Sequence, residues 1–336
     1  MLAQLLVKRL ISVIFVLIGL SLITFTLSHV VAADPARLIA GPRASAETVA
    51  IIRKQYGLDR PLDEQYVTYM KGLLTLNFGV SLTTLRPVRM DLARYFPATV
   101  ELSLAALVFS IVVGVPLGIV SALRPNTPID YIGRLISVAG LAIPVFWLAL
   151  VFQFLFFAKL GWLPDGQRLP INTQPPHAIT HLYTIDALLS GNLSLFATAV
   201  EHLAMPAFVL GFSVLPVITR MVRAGMLETL GLDYIRTARS KGLSERTTVV
   251  RHALRNALLP TVTVIGMQIG VLFSGAILVE IIFSWPGIGR YVITGVTNFD
   301  YNAVMAVTLI IGFIYVLMNL VVDITYLMLD PRISYS

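Results

Sequence analysis

Six apolar runs separated by polar stretches divide the 336-residue chain. The first, Leu10 to Val31, holds no charged residue and only His29 near its end. Pro97–Leu123, Leu135–Ala158, Leu203–Thr219, Pro260–Val279 and Ala303–Val322 follow. A helix needs about 20 predominantly apolar residues to cross a hydrocarbon core. These runs are apolar on all faces, as spans in lipid require. The pattern therefore predicts an all-α polytopic membrane protein with six transmembrane helices. The first run exceeds the apolar core of a cleaved signal peptide, about 7–15 residues, and reads as an uncleaved span. Ile185 to Val200 is a weaker run that carries Asp186 and is broken by Ser190, Gly191 and Asn192. It reads as a loop or interfacial helix outside the bilayer.

The polar stretches set the organisation. Residues 1–31 are a basic start plus the first span, 32–96 an extracytoplasmic loop region, 97–326 the core with helices 2–6, and 327–336 a tail. Within the loop region, Val49, Ile52, Tyr56, Leu62, Tyr66, Tyr69 and Leu73 recur at helical spacing. Two or three short helices are expected there, either packed on the spans or forming a surface that meets a substrate-binding protein.

Charge orients the chain. With the N-terminus inside, inner loops carry 13 Lys and Arg and outer loops 12, nine of them in the long first loop. Long segments translocate with little regard to charge, so the short loops decide, 13 against 3. Both termini, the tail 327–336 and the basic loop 224–259 are then cytoplasmic.

That loop contains the most basic long segment between two apolar runs, Asp233 to Pro260. It reads as two short helices with a break. Asp233 is placed to cap the first through its carboxylate. Gly242 is placed to end it in the left-handed conformation. Ser244 is placed to cap the second, and Pro260 to sit in the first turn of the next span. From spacing alone, the segment is either a knob that another protein grips or a loop that fixes topology.

Composition narrows the function. The chain is 57% hydrophobic and only 13% charged, against about 25% charged in soluble domains. It has no cysteine, hence no disulfide framework, thiolate metal site or cysteine nucleophile. The net charge of +7 is spread over loops, which fits membrane topology rather than nucleic-acid binding. No phosphate-binding Gly-x-x-x-x-Gly-Lys-Ser/Thr, HExxH or GxSxG motif occurs. No catalytic residue is assigned, and an energy-coupled pump needs a separate ATPase chain. His177 and His181 have i,i+4 spacing, but Pro175 and Pro176 put them in a turn-rich loop, so no metal is expected.

Polar residues and prolines inside the runs are the remaining candidates. Glu280 lies near the outer end of the fifth span and reads as a structural or gating pair, with Arg290 a nearby cation. Gln153, Gln268 and Asn319 are compatible with a lumen or with hydrogen bonds between helices. Pro144 and Pro216 are compatible with kinks used in gating or with packing alone. Together Pro144, Gln153, Pro216, Gln268, Glu280 and Asn319 are the translocation-path or gate candidates. Glu101 and Asp323 lie near span ends, the latter read as a stabilising partner. In Phe283–Val292, FSWPGIGRYV, the residues Trp285, Pro286, Gly287 and Gly289 suggest a tight or re-entrant segment at the outer interface, either an ordinary aromatic anchor or a cap on the outer mouth of a pore.

DYIRTARSKGL followed by HALRNALLP resembles the cytoplasmic loop of binding-protein-dependent ABC importer permeases of the dipeptide/oligopeptide/nickel branch. Arg236 stands where the wider family has Glu and Thr237 where it has Ala, so a glutamate contact does not carry over. Ala238 and Gly242 match, and Leu259-Pro260 lies further on than the wider pattern expects. Ala33-Asp34-Pro35 (without the family's preceding Gly), Tyr56–Pro61, Phe78–Ser81, Pro97–Ser103, Phe283–Gly289 and Asn319–Ile333 are similar to the family's other recurring phrases. The resemblance implies that Asp233, Tyr234, Ile235, Arg236, Thr237, Ala238, Arg239, Lys241, Gly242 and Leu243 form a coupling helix docking on an ATPase. It also implies a second, related permease subunit, two ATPase subunits that bind ATP and Mg, and an extracytoplasmic binding protein. This chain would hold no cofactor and would sit in a bacterial-type inner membrane, passing peptides or a related small solute by alternating access. A self-contained channel or secondary transporter is the alternative. That class usually places charged or broken-helix sites near the bilayer midplane and often has internal repeats; no convincing repeat and no charge at mid-span depth is visible here.

Overall fold

The computed structural model describes residues 2–27, 35–41, 43–55 and 57–329. The end of the first run (Ser28–Val31 with His29), Ala33-Asp34, Tyr56 and the tail from Asp330 lie outside the described residues. Among those described there is no strand, only one isolated bridge between Val80 and Pro87. The helices are α1 (Leu2–Thr26), α2 (Pro35–Ala40), α3 (Ala46–Gln55), α4 (Leu62–Leu74), α5 (Val88–Leu123), α6 (Pro128–Ala142), α7 (Val145–Phe152), α8 (Tyr183–Leu189), α9 (Leu193–Leu230), α10 (Asp233–Ser240), α11 (Glu245–Thr247), α12 (Leu254–Ile282), α13 (Ile288–Thr297) and α14 (Tyr301–Leu329).

Four helical stretches among the described residues are long and apolar enough to cross a membrane: Val88–Leu123, Leu193–Leu230, Glu245–Ile282 and Tyr301–Thr325. A fifth is a bent pair, α6 with Val145–Lys159, turning by 105° at the break. The expected first span falls on α1, whose described apolar part, Ile11–Thr26, is shorter than the helices counted as long enough to cross.

Three boundaries differ from the sequence reading. The third span is broken rather than kinked: Pro144 is the N-cap of α7, because proline disfavours helical geometry in the residue before it. The fourth span is a 38-residue helix, much longer than Leu203–Thr219. Asn192 caps it by accepting the N–H of Leu195 at 3.0 Å, so Leu193–Val200 belongs to it and only Tyr183–Leu189 forms a separate helix. An apolar run marks hydrocarbon depth, whereas the backbone ladder continues through Glu201 at one end and Arg220 at the other. The fifth helix starts well before Pro260, which lies inside α12. Residues Glu245–Ile282 are continuous through the wider-turned π segment Thr248–Ala253.

The chain divides into two compact units. Residues 98–286 and 318–336 form one. Its core is built on α9, most of whose apolar window is buried inside protein. Small residues let backbones meet, since packing rather than water expulsion holds helices together in lipid. A Cβ on Gly211 would lie 2.6 Å from the Ala106 carbonyl, and one on Gly225 2.6 Å from that of Ala257. Residues 1–97 and 287–317 form the other unit. In it, Phe25 of α1 meets Tyr66 and Tyr69 of α4 at ring distances of 5.2 and 5.8 Å, and the Ser21 hydroxyl is 2.8 Å from that of Tyr66. Burial pushes the Tyr69 phenol above its usual range. The Phe78–Ser81 phrase also has a physical reason there. Gly79 has φ +82° with Asn302 against it, while the Ser81 hydroxyl and Thr83 N–H donate to the buried Asp300.

Candidate functional site: the basic segment between two apolar runs and the polar pairs around it

α10 is positioned by its two ends and two apolar teeth. Leu232, in extended conformation, is the N-cap, with no side-chain cap bond. Asp233 is therefore the first helical residue and not the expected cap. Its carboxylate is exposed, 3.4 Å from Arg236, where negative charge suits the helix dipole. Gly242 ends the helix with φ +77°. The Leu243 N–H reaches the Ala238 carbonyl at 3.3 Å and the Gly242 N–H that of Arg239 at 2.9 Å, the paired bonds of a Schellman cap. Ser244 caps α11 by accepting the Thr247 N–H at 3.3 Å. Both residues act as the sequence indicated.

Ile235 and Ala238 are buried, whereas Asp233, Arg236, Thr237, Arg239, Lys241, Gly242 and Leu243 are exposed. Arg239 grips Glu245 through two bonds of 2.7 and 3.1 Å. The Tyr234 hydroxyl accepts from the Asn256 amide at 2.8 Å and donates to the His252 carbonyl at 3.4 Å. The helix is thus pinned to the π segment and the start of α12, and presents a polar, cation-rich outer face.

Ten residues before α10, Arg223 forks onto Asp130 with bonds of 2.7 and 3.0 Å. Arg134 adds one of 2.6 Å and the Asn126 N–H one of 3.0 Å. Asp130 is fully buried. In the sequence both arginines stand only as cations of short loops. The i,i+4 pair Asp130/Arg134 just after Pro128 was the available hint.

Of the path or gate candidates, Gln153 donates to the carbonyls of Asp165 and Ile282 at 2.7 and 3.0 Å. Pro144 is exposed at the break between α6 and α7. Pro216 is buried within α9, and a Cβ on Gly140 would lie 2.4 Å from its ring. Glu280 is fully buried and accepts the Thr99 hydroxyl. Gln268 and Asn319 are half-buried on α12 and α14.

The Phe283–Trp285 stretch is a helix cap and not a surface anchor. Ser284 takes φ +50° and the Trp285 N–H returns to the Glu280 carbonyl at 2.8 Å. The indole is buried and donates to the Ala98 carbonyl at 2.8 Å.

A second network lies in the loop after α7, also unread from sequence. Arg168 is buried and donates to Glu101 through two bonds of 3.0 and 2.6 Å. Its guanidinium stacks 3.4 Å above the Tyr183 ring and reaches the His181 carbonyl at 2.9 Å. The Thr184 N–H and hydroxyl complete the Glu101 carboxylate. The segment holding His177 and His181 is not helical. Burial alone would raise the Asp186 carboxyl, but the Thr180 hydroxyl and N–H and the Ile179 N–H hold it below the usual carboxylate range.

Residues 114–335 match the family model "Binding-protein-dependent transport system inner membrane component". Residues 1–103 match the corresponding N-terminal model. The chain is 45% identical, over 96% of its length and 94% of the relative's, to the probable D,D-dipeptide transport system permease protein of Escherichia coli. It is 42% identical to the dipeptide transport system permease protein of Alkalihalophilus pseudofirmus, covering 98% of both chains. It is 35% identical to the glutathione transport system permease protein of Salmonella choleraesuis, again covering 98% of both. An all-helical chain with several apolar helices, no nucleotide motif and a pinned basic helix agrees with these matches along its whole length: the protein belongs to the family of binding-protein-dependent transport system inner membrane components.

Proposed function

We propose that the chain is the peptide-passing permease of an ATP-driven importer, and that α10 is its docking helix for a separate ATPase. The observation that carries the reading is the construction of α10. Two buried teeth, a glycine cap, a bidentate Arg239–Glu245 staple and the Tyr234 bonds hold a short helix rigidly while its polar face stays open. A loop that only fixed topology would need cations and none of these fastenings.

Two such ATPases, a second related permease and an extracytoplasmic binding protein complete the complex. ATP and Mg are held by the ATPases, and no cofactor by this chain. Closure of the ATPases draws the coupling helices together and turns the cavity outward. A dipeptide or short peptide is the favoured cargo, because relatives spanning nearly its full length are named for dipeptide transport. The N- and C-termini are cytoplasmic in this reading.

The test is ATP hydrolysis by the reconstituted complex, with the binding protein empty or loaded from a peptide mixture. Stimulation by the loaded binding protein is expected. Hydrolysis indifferent to it, or peptide flux through the chain without any ATPase, would favour a self-contained transporter.

A further inference from the structure

The Asp130 cluster is not explained by topology or by docking. A carboxylate with no exposed surface receives a forked arginine, a second arginine and a backbone N–H, and releasing Arg223 would strip it of two of its bonds and leave it on Arg134 and the Asn126 N–H. Its partner, Arg223, stands near the end of α9, and only Gly231 and Leu232 separate α9 from α10. That short link is itself bonded, Leu232 N–H to the Thr229 carbonyl at 3.1 Å, and Ile235 is fully buried just beyond it.

α6 is fastened to α9 at a second point. Gly140 lies against Pro216 so closely that a Cβ there would be 2.4 Å from the ring and 3.0 Å from the Phe212 carbonyl. The two fastenings are about 15 Å apart along α6 and about 10 Å apart along α9, from the rise per residue. Two separated points prevent α6 from sliding or turning on α9 unless the ion pair opens. Immediately past the second point comes the 105° break at Ile143–Pro144. On its far side, Gln153 ties the continuation of α7 to Ile282 and Asp165.

We propose that Asp130 and Arg223 are a positioning pair that makes α6 move as one body with α9 and the docking helix, delivering ATPase motion to the break at Pro144. The proposal rests on the reading of α10 given above. Asp130 touches neither ATPase nor peptide in this role. It acts by keeping two helices in register, and the forked geometry of Arg223 supplies direction that a point charge would not.

The experiment is simultaneous measurement of peptide uptake and ATP hydrolysis by the full complex in proteoliposomes. Asp130→Asn and Arg223→Gln are expected to keep hydrolysis within about twofold while peptide moved per ATP falls about tenfold or more. Arg223→Lys, which keeps the charge and loses the fork, should fall between. Peptide moved per ATP equal to the unaltered complex in all three variants would overturn the proposal. So would a parallel loss of both activities in complexes that assemble normally, the signature of a merely structural role.

Because the chain has no cysteine, a second measurement covers variants that do not assemble. Spin labels at Ile132→Cys and Leu232→Cys in the otherwise unaltered complex should keep one distance in the nucleotide-free and vanadate-trapped states. A change of several ångströms would overturn the shared body. An unaltered complex that hydrolyses ATP without any uptake would strike the docking reading of α10, a different failure from either of these.

Discussion

At the scale of single residues, the buried carboxylates Glu101, Asp130, Asp186 and Glu280 are each held by specific partners, and the cost of removing one follows from burial. Glu101 and Arg168 are nearly inaccessible and meet through two hydrogen bonds. Glu101→Gln leaves Arg168 buried without a counter-charge and is expected to destabilise by about 3–5 kcal/mol. Combining it with Arg168→Met should recover most of that loss, because the pair is then replaced by groups needing no partner. Thermal unfolding of the detergent-solubilised protein and of the single and double variants checks both statements. Gly242 is a case of backbone geometry. A leucine there keeps φ near +77° only at a strain of about 1–3 kcal/mol, or else lets the end of α10 unwind. Gly242→Leu should insert normally and lose ATP-coupled uptake. Uptake at the unaltered level would count against α10 as the dock.

At the scale of elements, the short helices are placed by capping and by loop carboxylates more than by propensity. α8 is seven residues long and too short to persist alone. Asp186 holds it to the preceding turn by accepting from Thr180 and Ile179. Its carboxyl is lowered relative to the ordinary value of 3.8, so the folded state binds its proton less readily than the unfolded chain. That contribution is fully present above about pH 4 and disappears as pH falls through the lowered value. Limited proteolysis of the loop between Lys159 and Leu193 should therefore accelerate below about pH 4. Asp186→Asn should cleave faster at neutral pH and lose most of the acid dependence. An unchanged acid dependence would mean that another group holds the loop.

At the scale of the whole molecule, the orientation read from charge near the spans is open to direct test. A single cysteine at Leu74, which is 83% exposed, should react with a membrane-impermeant maleimide in intact cells. One at Leu243, 40% exposed, should react only after permeabilisation. The opposite pattern would invert the protein and remove α10 from the compartment that holds ATP. The six apolar runs fall on the four long helices, the bent pair and α1; by length and composition, four helices among the described residues can cross a membrane, or five if the bent pair is one span.

The class, the apolar runs, the basic helix ended by Gly242 and the family are legible in the amino-acid order alone. Each depends on local composition, on the conformational freedom of one residue, or on phrases that stay together along the chain. Even the loop phrase Phe78–Ser81 was visible, though its reason was not: Asp300, more than two hundred residues later, fills it. Where the helices begin and end is legible only in the folded structure. Asn192 and Ser244 start ladders far outside the apolar runs, and Pro144 breaks one that composition shows as continuous. It alone decided which charges are buried as well. Asp130 and Arg223, or Glu101 and Arg168, are distant in sequence and look like ordinary loop or span-end charges. They become pairs because close helix packing excludes water and lipid alike, and a charge in such a place persists only where another element brings its partner.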